Sequence, residues 1–246
     1  MKRIALLLAA VAGLGTGAGC TVSTGSACDP QSLTIDWRFI DANGNSGLGC
    51  GAAGVSDLDV YIDGARVVTA APCDPAMALQ IVSPPNGVHR VVLEGYDSLG
   101  NFINRDWADL PIATCGDTYW QASPGSGWLE FQPTGCSANN GNLLYSLRDV
   151  TRSPTGEVID QIDSTLSLST IATYTCQGGI YYTAAMPYGD YELVDLEEVK
   201  GDLSMTYSSH CAAIPARVDF YSPTSYNPDL TVYSPAMTVL GPSCGL

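Results

Sequence analysis

Nine cysteines set the chemistry open to this 246-residue chain. Cys20 ends an uncharged apolar run, Ile4 to Gly19, that follows Met1-Lys2-Arg3. A basic leader, an apolar stretch and small residues before a cysteine are the layout of a secretory signal whose removal leaves Cys20 at the mature N-terminus. Its thiol then becomes the acceptor for lipid. The run is too short to span a bilayer, which takes about 20 apolar residues. The other eight, Cys28, Cys50, Cys73, Cys115, Cys136, Cys176, Cys211 and Cys244, can close as four disulfides with no thiol left over. None forms a Cys-x-x-Cys pair and only two histidines accompany them, so zinc or dithiol redox chemistry has less support than structural bridging.

A serine hydrolase needs a base beside its nucleophile, and only His89 and His210 could serve. No Gly-x-Ser-x-Gly elbow occurs. His89 reads as a strand residue with an ordinary hydrogen bond, and His210 as packing beside Cys211. The acids show no distinguished pair: Glu197-Glu198 and Asp57/Asp59 read as solvated strand faces or turns. No catalytic residue is expected and the chain reads as a non-enzyme. Asp41-x-Asn43-x-Asn45 opens like an oxygen-rich calcium loop, but Ser46 stands where the loop needs Gly and Ala52 where it needs a bidentate Glu. A hairpin turn accounts for it better, with a weak calcium site at Asp41, Asn43 and Asn45, joined by Asp57, Asp59 or Asp63, as the alternative. No other cofactor is expected.

Gly17-Ala18-Gly19-Cys20 resembles the lipobox of bacterial lipoproteins. The resemblance implies a diacylglyceryl-modified Cys20 as a membrane anchor, and Thr21 rather than Asp after it implies export to the outer membrane or cell surface. Gly17 departs from the usual Leu, which leaves ordinary cleavage near Ala18 open. Removal of Lys2 and Arg3 leaves eight basic against 25 acidic residues, a formal charge of −17. Nucleic acid, whose binding rests on clustered cations, is excluded as a partner. An anionic membrane surface would repel the body, so the lipid must do the attaching. With 46% hydrophobic and 14% charged residues, the mature chain is globular rather than disordered.

The elements follow from period-two alternation. Leu33, Ile35, Trp37 and Phe39 share one face against Thr34, Asp36 and Arg38. Leu58, Val60 and Ile62 do so against Asp57, Asp59, Tyr61 and Asp63, and Leu166, Leu168, Ala172 and Tyr174 against Ser167, Ser169 and Thr173. Turn clusters such as Asp41-Ala42-Asn43-Gly44-Asn45, Asp97-Ser98-Leu99-Gly100-Asn101 and Ser153-Pro154-Thr155-Gly156 separate the runs. No long stretch carries helical periodicity.

Pro85-Asn86-Gly87-Val88-His89-Arg90-Val91-Val92 aligns with Pro187-Tyr188-Gly189-Asp190-Tyr191-Glu192-Leu193-Val194 at an offset of 102 residues, the size of one sandwich domain. The Pro-x-Gly-x-Tyr pattern resembles carboxypeptidase-regulatory-like and collagen-adhesin B-type domains, which implies immunoglobulin-like or prealbumin-like sandwiches; His89 replaces the Tyr in the first copy. Residues 30 to 105 also resemble a domain of uncharacterised bacterial lipoproteins, through Ser32-Leu33-Thr34-Ile35-Asp36-Trp37, Cys50-Gly51-Ala52-Ala53-Gly54-Val55, Ala71-Pro72-Cys73 and Leu93-Glu94-Gly95-Tyr96-Asp97. The expected fold is all-β, with two tandem antiparallel β-sandwich domains after the signal peptide. Its segments are 1–19 signal, 20–27 lipidated tether, 28–133 first domain and 134–246 second. The break falls at Ser123-Pro124-Gly125-Ser126-Gly127 or just after, at Pro133-Thr134-Gly135.

Each domain receives four cysteines. The preferred connectivity is nested, Cys28–Cys115 and Cys50–Cys73, then Cys136–Cys244 and Cys176–Cys211, with Cys115–Cys136 as its rival. Among the tryptophans, Trp37 reads as core. Trp120 and Trp128, on either side of a turn, are the candidates for exposure and ligand contact, against strand packing as the plainer explanation. The sequence thus points to a lipid-anchored envelope module with a protein or glycan ligand. Its alternatives are a carbohydrate-binding module built on exposed aromatics and an adhesive or accessory subunit of an envelope assembly.

Overall fold

A computed structural model describes residues 31–41, 44–74, 78–131, 142–152, 160–167, 181–183, 185–199, 205–211, 214–219, 229–230, 232–233 and 238–239. The first half contains β1 (Ser32–Trp37), a single helical turn α1 (Cys50–Ala53), β2 (Asp57–Ile62), β3 (Ala65–Pro72), β4 (Leu79–Val82), β5 (Gly87–Tyr96), β6 (Phe102–Ile112) and β7 (Asp117–Ala122). These strands form two sheets, β4-β1-β7 and β3-β2-β5-β6. All neighbours are antiparallel except β1 and β7, which run parallel. The alternation read in the sequence supplies the core: Leu33, Ile35 and Trp37 from one sheet meet Leu58, Val60, Val91 and Leu93 from the other, with Trp120 and Ala122 closing the β7 side.

The second half follows through β8 (Ser126–Gly127), β9 (Glu130–Phe131), β10 (Asn142–Asp149), β11 (Asp160–Ser167), β12 (Tyr181–Tyr182), β13 (Met186–Pro187), β14 (Gly189–Val199), β15 (Thr206–His210), β16 (Ile214–Asp219), β17 (Asp229–Leu230), β18 (Val232–Tyr233) and β19 (Thr238–Val239). A seven-stranded sheet holds β10, β11, β14 to β17 and β19, while the pairs β8–β13 and β9 with β12 and β18 are separate. Its core joins Leu143, Tyr145 and Leu147 to Tyr191, Leu193, Leu196 and Val218. The phase of β14 changes between Leu193 and Leu196 because opposite Ser146 and Leu147 the register skips Val194, and such a bulge turns the following residues to the other face. The fold is thus all-β, two mainly antiparallel sandwiches with separate cores drawn from residues 33–122 and 129–218.

The repeat has a structural basis. β5 and β14 both begin at the glycine of their copy, Gly87 and Gly189. In the second copy the Tyr191 hydroxyl donates to the Pro187 carbonyl at 2.6 Å; in the first, His89 Nε2 lies 2.9 Å from the Asn86 carbonyl. The histidine therefore keeps the side-chain tie to the turn that the tyrosine makes. The two Asp-x-x-Gly-Asn turns also match: Asn45 N–H and side-chain amide donate to the Asp41 carboxylate at 2.8 and 2.7 Å, and Asn101 repeats both bonds to Asp97 at 2.8 Å.

Two expectations are corrected. Asp59 does not face water, nor do Glu197 and Glu198; all three are buried, as is Tyr61. The outer face of β2 and β5 is covered by Thr151 and Arg152 of the second half, and Asp59 accepts the Ala70 N–H at 2.7 Å and Arg66 at 3.2 Å. The stretch Ser123–Gly127 is tied into the strands on both sides. Gly125 exchanges both backbone bonds with Arg105 and accepts the Tyr188 N–H, and β8 pairs with β13. The alternate break at Pro133–Gly135, the run from Leu168 to Tyr174 and the Ser153–Gly156 turn lie outside the described residues.

Candidate functional site

Polar side chains gather in two places, a closed joint between the sandwiches and an open pocket beside it. At the joint, Arg105 extends from β6 and is completely buried. Its Nε donates to the Tyr188 carbonyl at 2.5 Å, Nη1 to Asp149 Oδ2 at 2.6 Å and Nη2 to the Tyr191 hydroxyl at 2.9 Å, with Glu94 3.6 Å from Nη1. Burial opposes the guanidinium charge, yet Tyr191, Asp149 and Glu94 outweigh it and hold its pKa above the usual arginine value. Burial also raises the Tyr191 hydroxyl pKa, so it stays a neutral donor to Pro187.

Two further arginines cross the joint. Arg152 grips the buried Glu94 with Nε and Nη2 at 2.7 and 2.6 Å and lies 3.9 Å over the Tyr61 ring. Arg90 bonds Asp109 at 2.9 and 3.1 Å and reaches Asp190 at 3.2 Å, and it shares the Trp107 ring with Arg217. Planar guanidinium groups suit such bidentate and stacked contacts. Asp106 stands nearby, half-buried by surface and with its carboxylate largely enclosed. The enclosure pushes its pKa up to about 6 against the N–H bonds of Ser123 and Trp107, with Asp219 of the other sandwich adding to the rise.

The pocket, about 220 Å³, is lined by Ile40, Asp41, Leu48, Ala52, Ala53, Ile103, Asn104 and Ser126. Two features build it. The Cys50–Cys73 disulfide ties α1 to the end of β3 and so fixes the wall that carries Ala52 and Ala53. A bulge in β6, where Gly95 opposes Asn104 and Tyr96 opposes Phe102, leaves Ile103 extra and lets two consecutive residues face one cavity, which regular alternation forbids.

The site residues expected from sequence fare unevenly. The Cys50–Cys73 pairing is present, and Cys115 and Cys211 are disulfide-bonded. Cys20, Cys28, Cys136, Cys176 and Cys244 lie outside the described residues. Trp120 is a correction: at 8% exposure it packs in the first core, because its place on β7 points it inward beside Ile35. Trp128 is half-buried next to the core residue Leu129, so the two do not form an exposed aromatic pair. Asp41 and Asn45 are brought together as a turn, as above, and Asn43 is outside the described residues. His89 Nδ1 lies 2.5 Å from Asp63 and its Nε2 faces a carbonyl. With an acceptor on both nitrogens the ring pKa is raised, by Asp63 first and Asn86 second, and neither nitrogen is aimed at a nucleophile.

Sequence reasoning passed over Arg105, Glu94, Asp149 and Asn104. One signal was available for the first three: in a chain with 25 acidic and 10 basic residues, each arginine is outnumbered by carboxylates and must gather several wherever it is buried.

No family model matches the chain, and no curated protein matches it. Among solved structures it is similar to the fimbrial anchor protein Mfa2 from Porphyromonas gingivalis, at 11% identity over 74% of this chain and 82% of that one, TM-score 0.37. It is also similar to the shaft pilin SpaA from Lactobacillus rhamnosus GG, at 9% identity over 87% and 100%, TM-score 0.24. A leucine-rich repeat protein from Bacteroides thetaiotaomicron matches at 11% identity and TM-score 0.26, and the chain covers 26% of its length. Likeness at this level says nothing of ligand or activity. Among the described residues no helix is long and apolar enough to cross a membrane.

Proposed function

We propose that this protein is an exported, lipid-anchored and non-enzymatic envelope module, in which two disulfide-pinned sandwich domains, 28–133 and 134–246, act as one stiff body for binding or structure. The observation that carries this reading is the joint. Its charged groups converge on Arg105, Glu94 and Asp149, which are buried between the sheets and hold one sandwich against the other instead of meeting a substrate. Disulfides at Cys50–Cys73, Cys115 and Cys211 suit an oxidising compartment outside the cytoplasm. The lipobox-like sequence supplies the anchor at Cys20, and an acidic body beyond a short tether stands off an anionic surface.

Mass spectrometry of the mature N-terminus, on protein purified from its native host, tests the anchor. Diacylglyceryl-Cys20 is expected, and a free thiol at Cys20 or cleavage near Ala18 would refute it. Reading the module as a carbohydrate binder through exposed Trp120 and Trp128 loses its platform, since Trp120 is core. A role as an adhesive or accessory subunit keeps its support from the stiff tandem architecture.

A further inference from the structure

We infer that the pocket between α1, the β6 bulge and β8 is a binding subsite for the acetamido group of an N-acetylated amino sugar. The inference rests on the binding reading above. Asn104 carries it: the residue is only 7% exposed, it lines the cavity, and its side-chain amide has no hydrogen-bond partner among the described residues. The amide opens on the cavity and pairs with whatever fills it, and a carboxamide offers one acceptor and two donor hydrogens. What complements it is a group with both a carbonyl and an N–H, which describes a secondary amide.

The walls refine the class. Leu48, Ala52, Ala53 and Ile103 are aliphatic and mostly small, so they accept a methyl rather than an aromatic ring. Asp41 and Ser126 at the same cavity place oxygens where ring hydroxyls can reach. The volume, about 220 Å³, is below the ~300–1,000 Å³ of pockets for drug-sized ligands and suits one substituted ring rather than an extended chain. A mature formal charge of −17, read from the composition, disfavours anionic ligands and leaves neutral ones unopposed. The wall bearing Ala52 and Ala53 is held by the Cys50–Cys73 bridge, so the subsite is preorganised.

The test is an NMR titration of the oxidised, full-length mature protein with N-acetylglucosamine, glucose and N-acetyl-alanine-methylamide. Shifts are expected at the Asn104 side-chain amide and the Ala52 and Ala53 methyls, with glucose weaker by about tenfold or more. Asn104→Leu, close in volume, should abolish the shifts while circular dichroism stays unchanged. Equal response to glucose, shifts away from these residues, or undiminished binding by Asn104→Leu would overturn the inference; so would binding of the peptide amide without the sugar. Should the variant misfold, the wild-type comparison of N-acetylglucosamine with glucose decides alone. Because no lipid is required, failure here leaves the anchoring result standing, and failure of anchoring leaves this one.

Discussion

Arg105 and Asp149, on strands from different sandwiches, meet at 2.6 Å with their side chains 0% and 6% exposed. A buried pair of this kind is weak evidence of net stability, because desolvating two charges offsets much of their attraction. Removing one partner is another matter. Arg105→Met should leave Asp149 deprived of its guanidinium partner in a closed joint and cost about 3–5 kcal/mol. Chemical denaturation should show this loss, and the unfolding transition should split or broaden as the sandwiches uncouple. A single unshifted transition would contradict a coupling role for Arg105.

Two glycines permit that joint. A Cβ on Gly189 would sit 2.2 Å from Arg105 Nη2 and 2.3 Å from Thr151 Oγ1, and one on Gly125 would sit 2.4 Å from the Tyr188 ring. Rigid neighbours hold both places, so neither clash can be relieved without moving the joint. Gly189→Ala and Gly125→Ala should each destabilise by more than the ~1 kcal/mol typical of point changes, whereas Gly51→Ala, with open space around its Cβ, should be near neutral. Comparative thermal melts of the three variants test the ranking.

The Pro-x-Gly-x-Tyr tie gives a smaller, cleaner effect. The Tyr191 hydroxyl accepts from Arg105 and donates to Pro187, so Tyr191→Phe removes two bonds and leaves a carbonyl and a guanidinium hydrogen unpaired. A loss of about 2–3 kcal/mol is expected in urea unfolding, with the packing of the ring retained.

Much of this fold was legible in the sequence, and the limits are instructive. Alternation at Leu33, Ile35 and Trp37 and at Leu58, Val60 and Ile62 placed the first core correctly, since one face of each strand had to be apolar. The repeat at Gly87 and Gly189 was legible because a turn demands the same residues twice. Alternation failed at Asp59, which Arg66 and the Ala70 N–H of β3 enclose, and at Tyr61, which Arg152 covers from the turn after β10 while gripping Glu94. Period two reports which face is apolar, and it is silent on what covers the other face. For Trp120 the plainer explanation, strand packing, is the one observed, because a flanking turn says where a strand ends, not which way its side chains point. Asn104 was invisible because a bulge breaks the alternation on which the reading depends.

Reduction offers a local probe. Cys50–Cys73 closes a loop of 23 residues, for which loop entropy implies roughly 3 kcal/mol. A Cys50→Ser/Cys73→Ser protein should melt lower and lose protection first in α1, whose four residues are too few to hold a helical turn by propensity. Hydrogen exchange should find the amides of Ala52 and Ala53 opened while those of β14 stay protected. Uniform loss across both sandwiches would show instead that the bridge secures the whole chain.

The enclosed carboxylate of Asp106 makes stability depend on pH in an unusual direction. Its folded pKa, about 6, lies above the ordinary 3.8, so the native state binds the proton more tightly than the unfolded chain. Stability from this group is therefore fullest below about pH 4 and is lost as pH climbs through about 6. Most acids in folded proteins act the opposite way. Above pH 6 the ionised Asp106 also faces Asp219 across the joint. Asp106→Asn removes the titration and keeps an oxygen to accept the Ser123 N–H, now at 2.5 Å. The variant should lose the decline in stability between pH 4 and 6, while giving up the Trp107 N–H bond to Oδ1 that an amide nitrogen cannot accept. His89, with its pKa raised by Asp63, contributes below about pH 6.5 and loses that contribution at higher pH, so its signal persists in both proteins. Stability curves from denaturant midpoints at half-unit pH steps separate the two, and parallel curves for wild type and Asp106→Asn would rule out Asp106 as the titrating group.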